Sequence, residues 1–162
     1  MTLESVKVSL SPMEKFGEFL KSKGKKFTGE RKILVEQVFS SHEHFDAESL
    51  VAKLERRTDG SAVSRSTIYR TLKQLVEAGL LRKMTLGNRD VYEHDYGYPQ
   101  HDHLYCQQCG TLIEVQLPDL KILREQVSRE HRFRSEGHRF VIYGTCAACN
   151  ISRSSMRRLD LV

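Results

Sequence analysis

Apolar positions recur at helical spacing through the first half of the chain. Ser11-Pro12-Met13-Glu14 reads as a helix start: Ser11 can cap, Pro12 suits the first turn and Glu14 completes a capping box. Phe16, Phe19 and Leu20 then form one apolar face, and Gly24 ends the helix. Thr28 can cap a second helix with a core face of Ile33, Leu34 and Val38. Asp46 can cap a third, in which Ala47, Leu50, Val51 and Leu54 fall at i, i+3, i+4 and i+7. Ser64 can cap a fourth, with Ile68, Leu72, Leu75 and Val76 as its buried stripe and Gly79 as its end.

Beyond Gly79 the period changes. Leu81–Leu86 and Val91–His94 read as short strands separated by the turn Gly87-Asn88-Arg89-Asp90. Three of these four helices and a β-hairpin, with a polar and basic face on the last helix, describe a winged helix-turn-helix. Gly97 and Pro99 mark a hinge over 95–100. After it the pattern alternates again: a strand at Leu112–Val115, a helix at Pro118–Glu130 with Leu120, Leu123 and Val127 inward, and a strand at Phe140–Tyr143. The expected class is α+β, with a winged-helix domain over 1–94 and a small α/β domain over 101–162. So small a second domain needs a staple or a partner to hold a core. The tail Arg153-Ser154-Ser155-Met156-Arg157-Arg158 is basic, polar and expected to be loose.

The staple is visible in the cysteines. All four lie in two Cys-x-x-Cys pairs, Cys106–Cys109 and Cys146–Cys149. Two such turns can close a tetrahedral zinc site with no position left for water, so its role is structural. The alternatives are two disulfides, free core thiols or a redox-active dithiol. No apolar run approaches the roughly 18 residues that span a membrane. Met1-Thr2-Leu3-Glu4-Ser5 has no basic region followed by an apolar core, so no secretion signal is expected. A cytoplasmic location follows, where paired cysteines are more often metal ligands than disulfides.

Charge sharpens the division of labour. Residues 1–90 carry 17 Lys/Arg against 12 Asp/Glu, whereas residues 91–162 carry 9 against 9. The basic excess sits in the half without cysteines, which suits a polyanion partner. On the fourth helix the face opposite the apolar stripe holds Ser66, Tyr69, Arg70 and Lys73, a set able to meet base edges and phosphates in a major groove. Arg65 and Arg31 are further phosphate candidates, and Arg82, Lys83 and Arg89 fall on the wing. The competing reading is a merely solvated helix face.

A second cluster lacks sulfur. In His101-Asp102-His103 the two histidines point to one side of a strand and can share an ion. Glu114 follows on the next strand, Glu93 ends the wing hairpin, and His44 precedes the third helix. Nitrogen and oxygen donors suit Fe2+, Mn2+ or Zn2+. Surface or capping histidines are the plain alternative.

Taken together, His44-Phe45-Asp46-Ala47-Glu48, Ser66-Thr67-Ile68-Tyr69-Arg70-Thr71-Leu72, the run from His101 to Gly110, Ile113-Glu114-Val115 and the closing cysteine pair resemble the ferric uptake regulator family of metal-dependent repressors, over about residues 13–150. The resemblance implies a homodimer, with an N-terminal winged helix and a C-terminal dimerisation domain, that binds a palindromic operator in double-stranded DNA. It places a regulatory Fe2+ or Mn2+ on His44, Glu93, His101, His103 and Glu114, joining both domains. The implied function is Fe2+-dependent repression of metal-uptake genes; the alternatives are peroxide-sensing and manganese-responsive repressors of the same family. Glutamates at 93 and 114, where peroxide sensors typically carry aspartates, favour the iron type. A zinc sensor usually adds a cysteine to this site, and none is to spare. Many members have a further site at positions that here are Gln100, Asp102, Lys121 and His138; Gln100 and Lys121 replace two ligands, so that site is expected to be absent or very weak.

Two other classes compete. An enzyme could hold a catalytic metal on His101 and His103, but no nucleophile–base pair or oxyanion motif accompanies them. A thiol redox sensor could act through the cysteines, and would release zinc rapidly in peroxide.

Overall fold

The computed structural model describes residues 8–150, so the N-terminal segment and the basic tail considered above lie outside the described residues. The chain separates into two compact units, divided between Pro99 and Gln100.

In the first unit, helix α1 spans Pro12–Ser22 and opens with the expected capping box, Ser11 and Glu14 each satisfying the other's backbone N–H. Gly24 follows with φ +65°, a left-handed turn that a side chain would disfavour. Helix α2 is Gly29–Val38; Thr28 stands at its N-cap without donating or accepting a side-chain capping bond. Its core face is Leu34, Val35 and Val38, with Ile33 only half-buried, so the expected face is rotated by one position. Strand β1, Phe45–Asp46, leads into α3, Ala47–Glu55, where Asp46 accepts the Ser49 N–H at 2.7 Å. Helix α4 is Arg65–Glu77, capped by Ser64 onto Thr67. Strands β2, Leu81–Leu86, and β3, Arg89–His94, close the unit. The hairpin turn is shorter than expected. Gly87, at φ +61°, and Asn88 suffice, and Arg89 and Asp90 already pair with Leu86 and Thr85.

The sheet order is β1-β3-β2, all antiparallel. Beneath it Phe16, Leu20, Leu34, Leu54, Ile68, Leu72, Leu75, Leu80 and Leu81 form one core with little or no exposure. Each such side chain contributes about 1.5–3 kcal/mol by leaving water. Leu72→Ala is therefore expected to destabilise this unit by about 2–5 kcal/mol, read as a lower denaturant midpoint. Asp95 and Tyr96, assigned to the hinge by sequence, are held by this unit. The Asp95 N–H donates to the Leu80 carbonyl at 3.1 Å, and the Tyr96 hydroxyl donates to the Leu10 carbonyl at 3.1 Å.

The second unit contains β4, Asp102–Cys106, β5, Leu112–Val115, α5, Pro118–Glu130, and β6, Val141–Gly144. The sheet order is β5-β4-β6, with β4 antiparallel to β5 and parallel to β6. Its own apolar core is slight: among the described residues from Gln100 onward, Cys106 is the one buried hydrophobic residue. The expectation that Leu123 and Val127 turn inward is corrected. They are 54% and 45% exposed, Ile122 is 63% exposed, and no residue of α5 is buried. Helical periodicity locates an apolar stripe, but the described residues of a single chain leave this one uncovered. Ile113, Phe140, Ile142 and Tyr143 add to the uncovered apolar surface.

Candidate metal centres and nucleic-acid interface

The four cysteines meet because β4 and β6 run side by side. Cys106 ends β4 opposite Gly144, the last residue of β6. A tight turn, with Gly110 at φ +75° and its N–H on the Cys106 carbonyl at 2.8 Å, carries Cys109 back toward the strand end. Cys146 and Cys149 open the helical turn that follows β6. All four sulfurs lie within 4.8 Å of one another, and no two are bonded. Cys109 Sγ and Cys146 Sγ are 3.7 Å apart. A zinc–sulfur bond of about 2.3 Å makes the edge of a ligand tetrahedron about 3.8 Å, so the cluster could hold zinc with little rearrangement.

Local dipoles prepare these thiols unequally. The Cys146 N–H, 3.3 Å from Cys106 Sγ, leads the groups that bring the Cys106 pKa down to about 6. The Thr111 hydroxyl, 3.1 Å from Cys109 Sγ, lowers that thiol too. Hydrogen bonding with Cys146 and then Cys109 pushes Cys149 up to about 12. Cys149 therefore keeps its proton at neutral pH unless a cation displaces it, and metal affinity falls as the pH falls.

The nitrogen and oxygen donors form a separate group within each unit. In the first, the β1–β3 register sets His44 beside Glu93: Phe45 pairs with Tyr92, so the residue before Phe45 reaches the residue after Tyr92. His44 Nε2 lies 3.3 Å from Glu93 Oε2, and Glu93 is almost wholly buried. Arg82, its cross-strand partner on β2, approaches Glu93 Oε1 to 3.7 Å and also pairs with Asp95. In the second unit, His103 and Glu114 are direct cross-strand partners on β4 and β5. His101 Nε2 lies 3.9 Å from Glu114 Oε1, and the two imidazole centroids are 4.9 Å apart. His101 and His103 are both buried. The donors are imidazoles and carboxylates without sulfur, which suits a hard or borderline divalent cation.

The positions Gln100, Asp102, Lys121 and His138 line one cavity of about 360 Å3, together with Arg124. Gln100 Nε2 donates to the His138 carbonyl at 2.7 Å, and His138 Nε2 is 3.3 Å from Asp102. The carboxylate and imidazole are thus engaged with each other, and the remaining charges, Lys121 and Arg124, are positive. This lining disfavours a cation.

On α4, Ser66, Tyr69, Arg70 and Lys73 are all exposed, as a DNA-facing set requires. Among the described residues neither Arg70 nor Lys73 has an ion-pair partner. Arg65 lies on the same helix, but both it and the Tyr69 hydroxyl are held by Glu48 of α3. Arg31 donates to the Lys26 carbonyl. The wing cations are engaged: Lys83 with Asp90 at 2.7 Å and Arg89 with Asp46 at 2.9 Å. Arg82 is turned to Glu93 and Asp95, so it supports the Glu93 carboxylate instead of presenting a free charge on the wing. Sequence reasoning missed Glu48. A carboxylate in the first turn of a helix reads only as complementing the helix dipole, and no periodicity links it to α4.

Comparison with known proteins adds four findings. The model of the ferric uptake regulator family matches residues 22–143. A ferric uptake regulation protein of Campylobacter upsaliensis is 33% identical over 138 residues, covering 85% of this chain and 88% of the relative. Among solved structures, the Helicobacter pylori ferric uptake regulator shares the fold, with a TM-score of 0.77 at 21% identity, covering 91% of this chain and 97% of that one. The Pseudomonas aeruginosa ferric uptake regulator with manganese matches with a TM-score of 0.66 at 27% identity, covering 81% and 97%.

Proposed function

The chain belongs to the ferric uptake regulator family, and on that premise we propose that it is a repressor switched by Fe2+ bound to His44, Glu93, His101, His103 and Glu114. Family members are transcription regulators that bind DNA and work as dimers. The observation that carries the reading is the pair of sulfur-free donor groups, His44 with Glu93 in one unit and His101, His103 and Glu114 in the other. One ion shared by both groups ties the winged helix to the dimerisation unit and restricts the angle between two DNA-binding units. Metal binding then favours the arrangement that fits two half-sites of a palindrome, which is a population shift with reciprocal coupling.

The other parts fit this scheme. Zinc at the four cysteines staples a unit with almost no apolar core of its own. The uncovered apolar side chains of α5 and its sheet supply the homodimer contact. The cationic lining around Lys121 and Arg124 disfavours a third metal there. No helix of the described residues is long and apolar enough to cross a membrane, in keeping with a cytoplasmic regulator. Glutamates at 93 and 114 support iron over peroxide sensing. Manganese, which accompanies the similar Pseudomonas aeruginosa protein, remains the second candidate metal.

The test is an anaerobic titration of the zinc-loaded protein on a palindromic operator of the family type. Binding is expected to tighten about 5- to 150-fold on adding Fe2+ or Mn2+. Equal affinity with and without added metal would remove the regulatory role from these five residues.

A further inference from the structure

Arg65 and Tyr69, two of the proposed DNA contacts, are not idle on the surface. Arg65 Nη2 donates to Glu48 Oε1 at 2.5 Å, and the Tyr69 hydroxyl donates to the same oxygen. The Arg65 guanidinium also lies over the Tyr69 ring, 5.6 Å from its centroid. One carboxylate oxygen therefore gathers an arginine and a phenol much as a DNA phosphate oxygen would. The Glu48 pKa is lowered by these contacts, the Tyr69 bond first and the Arg65 bond next.

The contact is poorly placed to serve the fold. Glu48 and Arg65 are 61% and 53% exposed, and exposed ion pairs contribute little to stability. Both α3 and α4 are already anchored by their own caps and buried stripes. The effect of a fixed negative charge on this face falls on the ligand instead. Arg70 and Lys73, on the same face of α4, can meet phosphate directly, whereas Arg65 must first leave Glu48.

We propose that Glu48 is an intramolecular competitor for DNA phosphate, holding Arg65 and Tyr69 until duplex DNA displaces it, and so sets the affinity of the α4 face. This rests on the reading of α4 as the DNA-facing helix. Displacement takes the same toll on every duplex, so Glu48 lowers background occupancy without itself reading sequence. That favours a regulator meant to stay off DNA until its metal binds.

The test uses the full-length, metal-loaded protein and fluorescence anisotropy with a duplex of arbitrary sequence. Wild type is compared with Glu48→Gln, Arg65→Ala and the double variant. Glu48→Gln is expected to tighten binding roughly two- to fivefold, the scale of an exposed ion pair. It should also steepen the salt dependence by up to about 0.9 in log K against log salt, one phosphate's worth. In the Arg65→Ala background the gain should largely vanish. Weaker binding by Glu48→Gln would make Glu48 a support or a DNA contact and overturn the proposal. An undiminished gain without Arg65 would reduce it to a general charge effect and overturn it equally. Failure of the underlying reading has a different signature: Arg65→Ala and Arg70→Ala would then both leave DNA binding unchanged.

Discussion

Cys106→Ser is expected to remove zinc from the cysteine cluster and to dismantle the C-terminal unit while leaving the N-terminal unit folded. Cys106 is the buried member of the set and ends the central strand of its sheet. Its sulfur accepts the Cys146 N–H, so it also joins the two strand ends. A serine hydroxyl keeps its proton at neutral pH and offers zinc no anionic ligand. Structural zinc sites bind with roughly 10–16 kcal/mol, comparable to or larger than the roughly 5–15 kcal/mol stability of a whole domain. Little else holds this unit, because α5 buries no residue in the single chain. Losing the site should therefore also scatter the apolar surface proposed to form the dimer. Zinc analysis and size-exclusion chromatography check the result: a monomer without zinc is expected, with residual helical signal from α1–α4. A dimer that persists without zinc would sink the structural assignment.

The N-terminal unit should survive because its organisation is written in local terms. Ser11 with Glu14, Asp46 with Ser49 and Ser64 with Thr67 are caps recognisable from spacing, and each forms. The stripe Ala47, Leu50, Val51 and Leu54 is buried throughout. The cysteine cluster was legible for a similar reason, since ligand spacing within a tight turn is a local property. What escaped depended on partners distant in sequence. Strand β1 has two residues and no period to detect; it exists because β3 offers an edge. Yet it is β1 that sets His44 beside Glu93. The inward assignment of Leu123 and Val127 failed because periodicity identifies an apolar face without saying what covers it. Glu48 escaped because its partners lie 17 and 21 residues away on another helix. Arg82 does lie on the wing, but its pairing with Glu93 escaped because only the β2–β3 register shows the carboxylate opposite.

His101→Ala is expected to leave the fold, the zinc content and the dimer intact and to abolish the metal response. His101 stands just ahead of β4 and belongs to no rung of the β4–β5 or β4–β6 ladders, so its side chain is dispensable for strand pairing. Its imidazole, however, lies next to His103 and near Glu114. Removing it leaves the proposed ion with one fewer ligand on the dimerisation unit, while His44 and Glu93 retain theirs. The coupling between units should collapse before all metal binding does. The variant with Fe2+ or Mn2+ should then bind operator only as tightly as metal-free wild type, a loss of about 5- to 150-fold. Linkage supplies an independent check, because coupling between two binding equilibria is reciprocal. Operator DNA should raise the metal affinity of the wild type by the same factor that metal raises its DNA affinity, and should leave the metal affinity of His101→Ala unchanged. If the variant still tightened on DNA when metal was added, the switch would have to lie elsewhere. The buried imidazole would then be a structural residue of β4, and the shared-ion mechanism would fail with it.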